Sequence, residues 1–221
     1  MDKISQQLPF KKGAEAWLYL TDWHGKRVVV KKRLPKKYRV AELDRRIRVY
    51  RTVHEAQLIN EAKKAGVPTP AIYLVDAEKG LLVMEFIEGV QVKKILDFQN
   101  TQRQQLCYTI GKLVGRLHKN GIVHGDLTTS NMIQNPEGKI FFVDFGLGEK
   151  TVDLEAKGVD LHLMKRALQS THFKFSKECF DSVINGYSSV LNGETVKNVL
   201  EKIREIEKRG RYIVERKGGI K

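Results

Sequence analysis

Cysteine is nearly missing from this chain of 221 residues, with only Cys107 and Cys179 present. No ligand spacing joins them, which argues against a thiolate zinc site and a disulfide framework and suits a reducing cytoplasm. Cys107 falls in a helical stretch and reads as a small core residue. Long apolar runs are missing too. Nothing approaches the ~18 apolar residues of a membrane span, so a soluble protein with no membrane partner is expected. The opening MDKISQQLPFKK lacks an apolar stretch with a cleavage site, and no signal peptide is expected. Internal repeats and low-complexity tracts are also absent. Acidic residues are scarce in one place: between Lys26 and Arg51, twelve Lys or Arg face only Glu42 and Asp44. The whole chain carries a formal charge of +14, and a second basic stretch runs from Lys202 to Lys221. Charge so concentrated attracts polyanions in a salt-dependent way, which favours a nucleic acid or an acidic protein as partner over a merely solvated surface.

The apolar pattern divides the chain in two. Alternation and β-branched residues predict strands at Ala16–Leu20, Val28–Lys31, Ile72–Val75 and Leu81–Glu85. A helix from Ala41 to Ala65 interrupts them and stops at Gly66-Val67-Pro68. After Glu88-Gly89 the character changes. Leu106, Ile110, Leu113, Val114 and Leu117 recur at helical spacing from Thr101 to His118. Short strands near Ile122–Val123, Met132–Ile133 and Ile140–Val143 follow, then three helical stretches, the last from Thr195 to Arg209 and stopped by Gly210. The expected fold class is α+β: a small strand-rich lobe (1–86), a short connector and a helical lobe with a basic tail (87–221), enclosing a cleft.

Three groups of residues point to one chemistry. His124-Gly125-Asp126-Leu127-Thr128-Thr129-Ser130-Asn131 places a carboxylate five residues before an amide, on a loop between strands. That is the catalytic-loop pattern of kinases, in which the Asp accepts the proton of the attacking hydroxyl and the Asn holds a metal. Asp144-Phe145-Gly146 follows an apolar strand, thirteen residues after Asn131, a spacing that a hairpin can use to bring two Mg2+ ligands together. Val28-Val29-Val30-Lys31 is an apolar strand ending in a lysine, the context of the lysine that grips the α- and β-phosphates of ATP. Lys32 is adjacent, but an alternating strand sends neighbours to opposite faces, and Lys31 is favoured. Its carboxylate partner should come from the next helix, where Glu42, Glu55 and Glu61 are candidates and Glu55 lies mid-helix. Gly13-Ala14-Glu15-Ala16 would cover the phosphates, although a kinase loop shows three glycines and this one has one. The connector should hold adenine through the Glu85 carbonyl and the Ile87 amide, with Met84 behind. His124 reads as a loop-stabilising residue. No Ala-Pro-Glu follows Asp144, position 125 is Gly where regulated kinases carry Arg, and about a dozen residues separate Gly146 from the next helix. Switching by activation-loop phosphorylation is therefore not expected.

These segments, with Arg33-Leu34-Pro35-Lys36-Lys37-Tyr38-Arg39, Arg51-Thr52-Val53-His54-Glu55-Ala56 and Lys208-Arg209-Gly210-Arg211, resemble the small atypical kinase subunit of the KEOPS tRNA-modifying complex along nearly the whole chain. The resemblance favours Lys31 and Glu55 as the pair. It implies a two-lobed protein-kinase-like fold and an ATPase and Ser/Thr kinase, able to phosphorylate itself, that supports synthesis of threonylcarbamoyl-adenosine in tRNA. It also implies a threonylcarbamoyltransferase subunit and a small regulatory subunit as partners, the latter on the first lobe. Beyond Thr195 there is no Ser or Thr, so a phosphorylation site at the extreme C-terminus, as in some relatives, is not available. Three other readings compete. A small-molecule phosphotransferase of the aminoglycoside or choline type would need a larger second lobe. A RIO-type kinase would be expected to show an extra N-terminal DNA-binding-like domain. A pseudokinase RNA-binding scaffold fits poorly with intact Lys31, Asp126, Asn131 and Asp144.

Overall fold

The computed structural model describes residues 8–98 and 102–218, the side chains of 98 and 210–218 excepted. Its first part is a five-stranded antiparallel sheet in the order β1-β2-β3-β5-β4, made of β1 (Lys11–Lys12), β2 (Trp17–Trp23), β3 (Lys26–Lys32), β4 (Ile72–Asp76) and β5 (Leu81–Glu85). Helix α1 (Ala41–Lys64) is inserted between β3 and β4 and packs on the sheet. Period-two alternation sorts the strand residues by face. Val28 and Val30 of β3 and Leu81 and Val83 of β5 pack with Tyr19, Trp17 and Trp23 on one face. Val29, Leu82 and Met84 face the other way and join Leu58 and Ile59 of α1. Lys31 shares that inner face with Val29, and Lys32 does not.

Beyond the connector come β6 (Val90–Gln91), α2 (Val92–Phe98), α3 (Arg103–Lys119) and β7 (Ile122–Val123). Next are β8 (Met132–Gln134), β9 (Ile140–Phe142), β10 (Glu149–Lys150), α4 (Leu154–Thr171), α5 (Ser176–Ser188) and α6 (Gly193–Gly218). Strands β6-β8-β9 form one small sheet, and β7 pairs with β10. The main core gathers Leu106, Ile110 and Leu117 of α3 with Phe142, Leu161 of α4 and Tyr187 of α5, and continues through Met132 and Phe145 to Leu58 of α1. Among the described residues no helix is long and apolar enough to cross a membrane.

Three expectations need correction. Helix α6 runs through Gly210 to Gly218. A single glycine costs a helix about 1 kcal/mol, which its neighbours can offset. Helix α4 starts at Leu154, so the segment after Gly146 is shorter than expected and contains β10. The two cysteines, which no spacing joins in the sequence, are neighbours in the core, Cys107 from α3 and Cys179 from α5, and both are buried and free.

Candidate active site

The site is built where the end of β3, the middle of α1 and the loops around β8 and β9 converge. Lys31 is 7% exposed, and its Nζ donates to Glu55 Oε1 at 2.7 Å and to Asp144 Oδ1 at 2.6 Å. Burial opposes a charged ammonium, but the Glu55 and Asp144 carboxylates more than offset it and raise the Lys31 pKa. Asp144 shows the mirror image. Burial works against its charge, Lys31 outweighs burial, and the carboxyl is held below its ordinary value. Asp144 also has a left-handed backbone, φ 67°, rare for a residue other than glycine and frequent where function imposes a conformation.

Across the cleft, Asn131 Nδ2 donates to Asp126 Oδ2 at 2.8 Å and to the Asp126 carbonyl at 3.0 Å. Both bonds use the amide nitrogen, which leaves Oδ1 of Asn131 as the atom able to face a metal. Asp126 is half-buried and lines the same pocket as Asp144. Glu55 is fully buried and grips two cations, Lys31 on Oε1 and Arg33 on Oε2 at 2.5 Å.

The catalytic-type loop is shaped from beneath. Asp160 of α4 accepts from the His124 N–H at 2.6 Å and the Gly125 N–H at 2.8 Å, and lies 3.3 Å from His118 Nε2. His124 is buried. Its Nδ1 accepts from the Asp126 N–H and its Nε2 faces the Val143 carbonyl at 3.1 Å. One ring nitrogen accepts and the other donates, so the imidazole is neutral, in line with burial lowering its pKa. Gly125 has φ 77°, and a Cβ there would stand 2.0 Å from the Leu147 carbonyl. Glycine at this position therefore reflects a steric demand as well as the missing arginine.

One pocket is walled by Leu18, Val29, Met84, Ile87, Ile133 and Val143, an apolar slot for a flat ring, and Glu85 also lines it. The Phe86 N–H donates to the Arg27 carbonyl and the Glu85 N–H to the Ala71 carbonyl. Among the described residues the Ile87 N–H donates to no backbone carbonyl. A second pocket adjoins it at Lys31 and is lined by Gly13, Ala14, Glu15 and Ala16 together with Arg33 and Asp126. The Gly13 N–H donates to the Ala16 carbonyl at 2.9 Å, closing a tight turn between β1 and β2. Lys36 Nζ binds the Ala14 carbonyl and Arg51 pairs with Glu15 at 2.6 Å. Side chains thus tether a loop that has only one glycine. The cleft so formed suits a nucleoside triphosphate: an apolar slot, then a lysine, then two groups able to share one metal ion. Among the described residues no cluster of three acidic, His or Cys side chains forms a metal site. Asn131 and Asp144 offer two oxygen donors, a set that suits magnesium, which takes one or two protein ligands and completes its shell with phosphate and water.

The sequence-predicted residues Lys31, Glu55, Asp126, Asn131 and Asp144 thus lie around one cleft, with residues 13–16, Glu85 and Ile87 on its rim. Asp160, Arg33 and Lys36 received no role from sequence. Asp160 left no signal, because its partners lie 35 and 36 residues away. Arg33 and Lys36 stand within the Arg33–Arg39 stretch, which the structure shows wired to α1 and to the Gly13–Ala16 loop.

Residues 25–181 match the RIO domain family. The KEOPS complex subunit Bud32 of Pyrococcus abyssi is 45% identical over 209 residues, covering 91% of this chain and 94% of that one. A probable bifunctional tRNA threonylcarbamoyladenosine biosynthesis protein of Methanothermobacter thermautotrophicus is 44% identical, and this chain spans 36% of it. Among solved structures, the Rio2 kinase–ADP/Mg2+–phosphoaspartate complex of Chaetomium thermophilum superposes with a TM-score of 0.62 at 15% identity, covering 90% of this chain and 70% of that one, which supports the fold. The RIO-type and KEOPS-subunit readings, set apart above, are therefore one reading. The chain is an atypical kinase that belongs to the RIO-domain family and, within it, to the family of the KEOPS complex subunit Bud32.

Proposed function

We propose that the cleft binds Mg-ATP and transfers its terminal phosphoryl group, to a Ser or Thr hydroxyl or to water, in support of threonylcarbamoyl-adenosine formation in tRNA. One observation carries the reading: Lys31 is held between Glu55 and Asp144 in the cleft that also contains the Asp126–Asn131 pair. Adenine would occupy the apolar slot, with the Glu85 carbonyl and the Ile87 N–H as its polar contacts. Lys31 would hold the α- and β-phosphates, positioned by Glu55. Asn131 and Asp144 would hold magnesium, which supplies charge neutralisation to the phosphates. Asp126 accepts the proton of the attacking hydroxyl as its oxygen bonds to phosphorus and the bond to the β-phosphate oxygen breaks, leaving ADP. The buried loop beneath it, fixed by Asp160 and neutral His124, keeps that carboxylate in place.

The names of the relatives favour a KEOPS-type assembly. Within it a threonylcarbamoyltransferase subunit, a small regulatory subunit and tRNA, implied by the sequence resemblance, are the partners of this reading. The free, buried thiols suit a cytoplasmic location. The test is ATP consumption by the purified chain, alone and with the transferase subunit and tRNA. Slow turnover alone that rises with both partners is expected for ATP hydrolysis serving the modification. Rapid labelling of a protein hydroxyl, with no response to the partners, would point to protein phosphorylation as the main activity. No turnover under either condition would leave the scaffold reading standing.

A further inference from the structure

β3 and the residue after it present Val29, Lys31 and Arg33 to the cleft at every second position, each step advancing about 6–7 Å. Val29 lines the adenine-side pocket, Lys31 lines both pockets, and Arg33 lines only the second. A nucleotide with its ring at the connector and its first phosphates at Lys31 therefore directs its terminal phosphoryl toward Arg33. Arg33 as a whole is 3% exposed. Its Nη2 donates to Glu55, yet Nε and Nη1 have no hydrogen-bond partner among the described residues. Buried donors left unmet carry a desolvation penalty, and an arginine with two nitrogens unspent marks an incomplete site. Gly146 leaves room at the same point. A Cβ there would stand 3.4 Å from both Arg33 Nη2 and Lys31 Nζ and 3.3 Å from Asp144 Oδ1. Charge points the same way. Lys31 and Arg33 are balanced by Glu55 and Asp144 as the structure stands. With Asp144 committed to a metal ion, the two cations share Glu55 alone, and one positive charge is left for an anion.

We infer that Arg33 recognises the terminal phosphoryl group of the bound nucleoside triphosphate, and so lets the cleft distinguish the triphosphate from the diphosphate product. The inference rests on the reading of the cleft as an ATP site. Arginine suits the task because its planar fork can meet two phosphate oxygens, which an ammonium cannot do. Glu55 then divides its two oxygens between the cation for the inner phosphates and the cation for the outer one. The diphosphate offers nothing at that point, so Arg33 adds nothing to its retention.

The experiment is calorimetric binding of a non-hydrolysable ATP analogue and of ADP, both with magnesium, to the wild type, Arg33→Met and Arg33→Lys, with melting temperatures alongside. Arg33→Met is expected to weaken the triphosphate analogue about tenfold or more while ADP changes less than about twofold. Arg33→Lys keeps a charge beside Glu55 and should still lose most of the preference, so it carries the test if Arg33→Met does not fold. An equal loss for both nucleotides, or an unmoved ratio in a folded variant, overturns the inference and leaves Arg33 as a brace for Glu55. A wild type that binds neither nucleotide overturns the ATP-site reading and this assignment with it. A wild type that binds both, with an unmoved ratio in the variants, overturns only the assignment.

Discussion

At the scale of single residues, the cleft depends on which charges are allowed to be buried. Lys31 sits on the inner face of β3 against two carboxylates, whereas Lys32 is on the opposite face, paired across the sheet with Trp17 and Leu81. Lys31→Ala should lower ATP turnover about 100-fold or more, the scale of losing one preorganised charge in a dry site, and Lys32→Ala less than about threefold. Steady-state rates of the two variants decide it. The larger loss in Lys32→Ala would move the register by one. Glu55 keeps Arg33 in the Lys31 variant, so the fold should survive a change that otherwise orphans a buried charge. The same pair sets a pH dependence. The Asp144 carboxyl is held below its ordinary value of 3.8, so its contribution to stability is present above that value and is lost as pH falls toward the folded-state value. The Lys31 ammonium is raised above 10.5, so its contribution persists up to that pH and is lost as pH rises through its folded-state value. Melting temperatures between pH 7 and pH 3 should therefore fall less in Asp144→Asn than in the wild type.

At the scale of elements, α3 and α5 approach each other more closely than side chains allow. A Cβ on Gly111 would stand 1.9 Å from the Val183 carbonyl, and one on Gly186 would stand 1.9 Å from the Tyr108 carbonyl. Gly111→Ala should cost about 3 kcal/mol or more, read as a fall in melting temperature, because backbone must move to admit the methyl group. Glycines of this kind punctuate nothing in the sequence, and the helix packing they serve is not local. Long, strongly patterned elements were legible: α1 is expected over Ala41–Ala65 and occupies Ala41–Lys64, and Leu81–Glu85 matches its strand. Seven-residue α2 was not expected, since two turns carry too little period to stand out. Gly210 misled because a helix with residues enough on both sides tolerates one glycine. The Gly13–Ala16 loop is weakly marked in the sequence, with one glycine, because its restraint comes from Lys36 and Arg51, far away in sequence. The pairing of Lys31 with Glu55 was accessible because each sits in a distinctive stretch. Arg33 was equally visible as a letter, but its burial and its unspent nitrogens were not.

At the scale of the whole molecule, charge is less free than composition suggests. Of the twelve basic residues between Lys26 and Arg51, six stand in ion pairs among the described residues: Lys31, Arg33, Arg39, Arg45, Arg48 and Arg51. Their partners include Glu15, Glu55 and Glu78 from outside that stretch and Asp144 from beyond the connector. The end of the chain is then the cleaner place to look for tRNA binding. Neutralising Arg211, Arg216 and Lys217, whose side chains lie outside the described residues, should weaken tRNA binding and flatten its salt dependence. The slope of log affinity against log salt should drop by about one for every phosphate that a basic side chain no longer neutralises. An unchanged slope would make the tail a solvated terminus. The central claim is that the cleft transfers the terminal phosphoryl of ATP with Asp126 as base and Asp144 as metal ligand. It is tested most directly by measuring turnover and magnesium-dependent ATP affinity together in the wild type, Asp126→Ala and Asp144→Ala. Both variants should fold and lose turnover by about 100-fold or more, with ATP affinity nearly unchanged in Asp126→Ala and clearly reduced in Asp144→Ala. Turnover that survives in Asp126→Ala, or an equal loss of ATP affinity in both variants, would contradict the account.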